Sequence, residues 1–173
     1  MACRPSHVDP AGPARRLAVS GRAAPEDIPM LTIDQATFGA IVAHARAEHP
    51  RAACGLVVGP AGADRPGRVI PMVNTADSAV HWSFDPVEYL RVYRELDAED
   101  EEPVVVYRSY PTAAAYPGEM DVRHADPNVH HVIISTRDPE HVELRSFRIE
   151  DGVVAEEIVH VVPTPPGRPR SRR

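Results

Sequence analysis

The chain has 173 residues, 43% hydrophobic and 25% charged, with a formal charge of −6. That suits one domain with a single core and argues against nucleic acid as a general partner. No apolar run approaches the roughly 20 residues that span a bilayer, so no membrane partner is expected. All 19 basic residues are arginine, which removes the lysine that Schiff-base and P-loop chemistry need. With Cys3 and Cys54 the only cysteines, a disulfide framework and an all-cysteine zinc site are both excluded, and a reducing cytoplasm is the expected location.

Residues 1–29 are rich in Pro, Ala, Gly and Arg without a sustained period. They read as a disordered leader, with either Met1 or Met30 as the true start. The folded unit is expected over 30–162, followed by a disordered Pro/Arg-rich tail over 163–173. Thr32 and Gln35 suggest a capping box, and Phe38, Ile41, Val42 and Ala45 recur as one stripe of a helix that stops near Pro50. CGLVVG and VIPMVN read as two strands. Asp85-Pro86-Val87-Glu88 gives an N-cap, an N1 proline and an N3 acid for a second helix, with Tyr89, Leu90, Tyr93 and Leu96 as its apolar face. The acidic stretch DAEDEE (97–102) reads as a solvated turn.

PVVVY (103–107) is β-branched almost throughout and reads as a buried central strand. The irregular RSYPTAAAYPGEMD leads to a short helix near 121–125. HHVIIS, VELRSFRI and VVAEEIVHVV then read as three strands, with turns at Asp138-Pro139 and Asp151-Gly152. The order implies an α+β class, an α/β sandwich in which helices flank a mixed, mostly antiparallel sheet. Chemistry is expected where the buried strand runs out into the irregular segment, because loops at strand ends carry sites.

Three stretches, HPRAACGLVVGP, VVVYRSYPTAAAYPGEMD and HHVIISTRDPEHVELRSFRIEDG, together resemble the JAMM/MPN metalloprotease family, whose fold is cytidine-deaminase-like. They are most similar to its actinobacterial members that release cysteine or peptide from a ubiquitin-fold sulfur carrier protein. The resemblance implies a glutamate before Cys-Gly, then His-x-His leaving the central strand, then Ser-x-x-Asp. In that scheme the histidines and aspartate hold zinc, the glutamate takes a proton from bound water, and the serine supports the oxyanion.

At those places this chain carries Ala52 for the glutamate, Arg108 and Tyr110 for the histidines and Gly118 for the serine. Only Asp121 is kept, with the intervening Ser109. A guanidinium cannot ligate zinc and a phenol is a poor replacement for imidazole, so the expected zinc loss leaves no cofactor and no catalysis by the family's route. His124, three residues beyond Asp121, shares a helix face with it, and His49, His81, His130 and His131 are further candidates for a rebuilt metal site. Of His130 and His131, at most one is expected to face inward.

Arg108 reads either as a plug paired with Asp121 or, with Ser109 and Tyr110, as a receptor for a carboxylate or thiocarboxylate. Cys54 reads as a core thiol or as a nucleophile looking toward the old site. Trp82 and Phe84 read as core residues or as a groove lining. The leading expectation is a pseudoenzyme binding a sulfur carrier's C-terminal tail or an active JAMM paralogue. The alternatives are a repurposed metal-free enzyme using Arg108, Tyr110 and Asp121, and residual metallopeptidase activity. A homodimer stays open by family analogy.

Overall fold

The computed structural model describes residues 29–63 and 66–166. Nearly all of the expected leader and the tail beyond 166 lie outside them. The elements are β1 (Met30–Asp34), α1 (Gln35–Glu48), β2 (Cys54–Pro60), β3 (Arg68–Met72), α2 (Pro86–Glu99), β4 (Glu101–Tyr110), α3 (Glu119–Arg123), β5 (His130–Ser135), β6 (Glu143–Glu150) and β7 (Val153–Val162).

The strands form one sheet in the order β1-β7-β6-β5-β4-β2-β3. β1 runs parallel to β7 and β4 parallel to β5, while the other neighbours are antiparallel. This is the mixed, mostly antiparallel α+β sheet expected from the sequence. Residues alternate between two covered faces. On one face Val105, Tyr107, Val132 and Ile134 join Ile41 and Ala45 of α1. On the other, Leu56, Val58 and Met72 receive Val92 and Leu96 of α2, and Ile133, Phe147 and Ile149 lie under Val122 and Ala125 around α3. Among the described residues no helix is long and apolar enough to cross a membrane.

Several local expectations are corrected. Thr32 does not cap α1: it lies in β1, in register with His160, and Asp34 is the cap, accepting from Thr37 N at 2.7 Å. Leu31 and Ile33 carry the alternation that marks this strand. α2 starts on Asp85 as expected, but it buries Val92 and Leu96 and leaves Leu90 52% exposed. The stretch 97–102 is not a turn, because α2 continues to Glu99, reverses at Asp100 in the left-handed region and enters β4 at Glu101. His130 and His131 are both buried, since this sheet is covered on both faces. Of the expected tail only 163–166 are among the described residues, and there Thr164 Oγ1 accepts from Ala36 N at 2.9 Å.

Candidate functional site

The site forms where β4 ends beside α3. Strand alternation sends Arg108 and Tyr110 toward the face covered by α2 and α3. Asp121 sits in the first turn of α3, where its Oδ2 accepts from Gly118 N at 2.7 Å. This one-sided cap, from the N3 side chain back to the N-cap amide, fixes a short helix end and suits an acidic side chain.

Arg108 and Asp121 form an ion pair of 2.6 Å, Nε to Oδ1, with side chains only 1% and 2% exposed. The contact is one of charge: Nε does not point its hydrogen usefully at the carboxylate, and Arg108 Nε and Nη2 both lack a hydrogen-bond acceptor. The carboxylate is otherwise well served. Trp82 Nε1 donates to Oδ1 at 3.0 Å, and the Tyr110 hydroxyl donates to Oδ2. Burial, then the hydrogen bond to Asp121, pushes the Tyr110 phenol upward against the opposing pull of Arg108, so it stays protonated at neutral pH. The Arg108 guanidinium carbon lies 5.5 Å from the Trp82 ring centre, close enough for a cation–π contact.

Two cavities flank this cluster. An open groove of about 660 Å³ is lined by Val80, Trp82, Tyr110, Gly118 and Met120, among others. On the far side of Trp82 and Asp121, a second cavity of about 240 Å³ is walled by Trp82, Phe84, Tyr89 and Tyr93 over Leu56 and Val106, with Arg108 at its polar end. His124 and Asp121 line both, so the helix spacing does bring them together, and His124 is exposed.

Comparison with known families then decides the kinship: residues 34–150 match the model described as prokaryotic homologs of the JAB domain. The chain belongs to the prokaryotic JAB family. It is 48% identical over 134 residues to proteins named CysO-cysteine peptidase from Mycobacterium tuberculosis and Mycobacterium bovis, covering 77% of this chain and 92% of theirs. A solution structure of a Desulfitobacterium hafniense protein superposes with a TM-score of 0.68 at 30% identity, covering 78% of this chain and 94% of that one. One from Salinibacter ruber gives 0.53 at 22%, with 80% and 95% covered, and bears on the fold alone.

Within this JAB domain the remaining candidates separate. Ser109 is not beside Arg108: alternation turns it to the α1 face, where its Oγ accepts from Ala53 N at 2.8 Å. It is therefore removed from the expected receptor. Cys54 does share Arg108's face, directly opposite it in register, but is fully buried with Sγ toward Met72 O at 3.8 Å. Burial, then the Glu88 and Glu48 charges, pushes its thiol up to about 12, which makes it a core thiol and not a nucleophile.

Ala52 is buried beside a different cavity, with His44, Glu48 and Glu88. His49 and His131 are occupied elsewhere, His49 Nδ1 with Thr136 Oγ1 and His131 Nε2 with the Asp126 carbonyl. Trp82 is the residue that sequence reasoning undervalued. It is half-buried, bonds Asp121 and divides the two cavities. The WSFDP stretch before the Asp85 cap was the available signal.

Proposed function

We propose that this protein is a catalytically degenerate JAB domain that binds the flexible C-terminal tail of a ubiquitin-fold sulfur carrier without hydrolysing it. The observation that carries this reading is the buried Arg108–Asp121 pair, closed by Tyr110 and Trp82. Where the family's chemistry calls for two imidazoles and a carboxylate around zinc, a guanidinium and a phenol stand against the surviving carboxylate. The donor set does not fit zinc. Arginine has no lone pair to give, and Asp121 already accepts from Trp82, Tyr110 and Gly118. Among the described residues no group of three or more His, Cys, Asp or Glu side chains is gathered for a metal.

Ala52 cannot serve as a base, and Gly118 has no hydroxyl to support an oxyanion. We therefore assign no hydrolytic step to this centre. What survives is the scaffold and the groove, whose apolar rim, with Val80 at 60% and Met120 at 54% exposed, suits an extended peptide. The kinship to CysO-cysteine peptidases supports a carrier protein as the occupant. The rival reading, a metal-free enzyme for a small carboxylate or thiocarboxylate, needs the charge of Arg108 free, and Asp121 takes it.

The test is titration of the full chain with a sulfur carrier ending in its diglycine tail, against the same carrier lacking the tail. Tail-dependent binding with no release of tail residues is expected. Cleavage, or equal binding of both carriers, contradicts the reading. The scaffold itself is tested by restoring Ala52→Glu, Arg108→His, Tyr110→His and Gly118→Ser together. A Cβ at Gly118 meets Tyr110 and Asp121 at an ordinary 3.5 Å, so the serine fits. Zinc binding should appear in that variant.

A further inference from the structure

The cavity behind Trp82 has no part in the tail-binding reading, yet it has the makings of a ligand site: an apolar body with a few convergent polar groups. Its aromatic wall is continuous. Trp82 and Phe84 meet edge to face at 5.1 Å, Phe84 stacks on Tyr89 at 5.6 Å, and Tyr89 touches Tyr93 at 4.4 Å. Such a wall favours a flat ring as occupant. The floor is aliphatic, with Leu56 and Val106 side by side on β2 and β4.

At the polar end stands Arg108. Its Nη2 is buried and has no acceptor, a costly condition for a cationic donor unless something supplies one. The charge of the guanidinium is already balanced by Asp121, and the wall also carries Asp126. An anionic ligand would therefore add negative charge beside Asp121 and Asp126, and a cationic one would face the guanidinium. What is missing is an acceptor atom, not a charge.

We propose that this cavity binds a small, flat, uncharged molecule carrying a carbonyl oxygen, with the ring against the Trp82–Tyr93 wall and the oxygen at the end lined by the Arg108 guanidinium. The site needs no metal, and although it shares Trp82, Phe84, Asp121 and His124 with the groove, its Leu56, Val106, Tyr89 and Tyr93 lining is its own.

Benzamide, benzoate and benzylamine share a ring and size and differ in charge, which makes them suitable probes. Each is titrated into the full chain and followed by protein-observed NMR. Benzamide should bind with a Kd on the order of 1 mM, as its few atoms allow, with the two charged probes about tenfold weaker or more. Val106→Phe fills the floor without touching the polar end and should weaken benzamide about tenfold while leaving the folded spectrum and carrier-tail binding in place. Arg108→Met should weaken benzamide about tenfold by removing the donor.

Benzoate binding more tightly than benzamide, no benzamide shifts at concentrations well above that Kd, or unchanged affinity in Val106→Phe would each overturn the proposal. Loss of carrier binding with benzamide binding intact would instead strike the tail reading alone.

Discussion

Removing either partner of the buried Arg108–Asp121 pair should have unequal consequences, and the inequality follows from who else bonds each side chain. Asp121→Ala strands a guanidinium that is 1% exposed and whose Nε and Nη2 already lack acceptors. It also frees Trp82 Nε1, the Tyr110 hydroxyl and Gly118 N. Breaking a buried pair this way costs about 3–5 kcal/mol, a large share of the stability of a domain this size. Arg108→Met leaves the carboxylate with those same donors and replaces the arginine with an apolar chain of similar length, so about 1–3 kcal/mol is expected.

The double variant leaves no stranded cation. It should be no less stable than Asp121→Ala, giving a coupling at least as large as the Arg108→Met cost, about 1–3 kcal/mol. Urea unfolding followed by circular dichroism measures all of these. If Arg108→Met is as damaging as Asp121→Ala, or the two effects simply add, the plug reasoning is wrong.

Other consequences are as specific. At Gly55 an added Cβ would collide with the Tyr107 hydroxyl and lie 2.6 Å from the Ile70 carbonyl. Gly55→Ala should therefore lower stability by about 1–3 kcal/mol in thermal unfolding, and Tyr107→Phe combined with it should recover part of that loss. Burial would raise the Glu157 carboxyl, but hydrogen bonds from His130 and Ser146 and the charge of Arg148 outweigh it and hold it below the ordinary value of 4.5. Its contribution is then complete above that pH and is lost as pH falls through the lowered value, so Glu157→Gln should be less stable at neutral pH and show a flatter acid-unfolding profile. Asp34→Ala, which removes the α1 cap, should cost about 1 kcal/mol by chemical denaturation.

Much of the fold was legible because its signals are local. The β-branched run in β4, the apolar run of β5, the turns that bound β6 and β7 and the Asp85-Pro86 start of α2 each announce themselves within a few residues. β1 is harder to see, because the Leu31 and Ile33 alternation spans only five residues and the strand is completed by its parallel partner β7, far along the chain. The faces of α2 were misjudged for a related reason. Tyr89, Leu90 and Tyr93 are apolar but aromatic-rich, and the sheet takes Val92 and Leu96 while the tyrosines wall a cavity. In the site, the replacement of ligands by Arg108 and Tyr110 could be read from the resemblance. The turning of Ser109 to the opposite face and the hydrogen bond from Trp82 to Asp121 needed three-dimensional placement.

The most direct test is the metal content of the full chain purified without chelator and then dialysed against zinc. Far less than stoichiometric zinc is expected, unchanged by Asp121→Ala, because the surviving carboxylate is already committed to Arg108, Trp82, Tyr110 and Gly118. Stoichiometric zinc that disappears in Asp121→Ala would contradict the account.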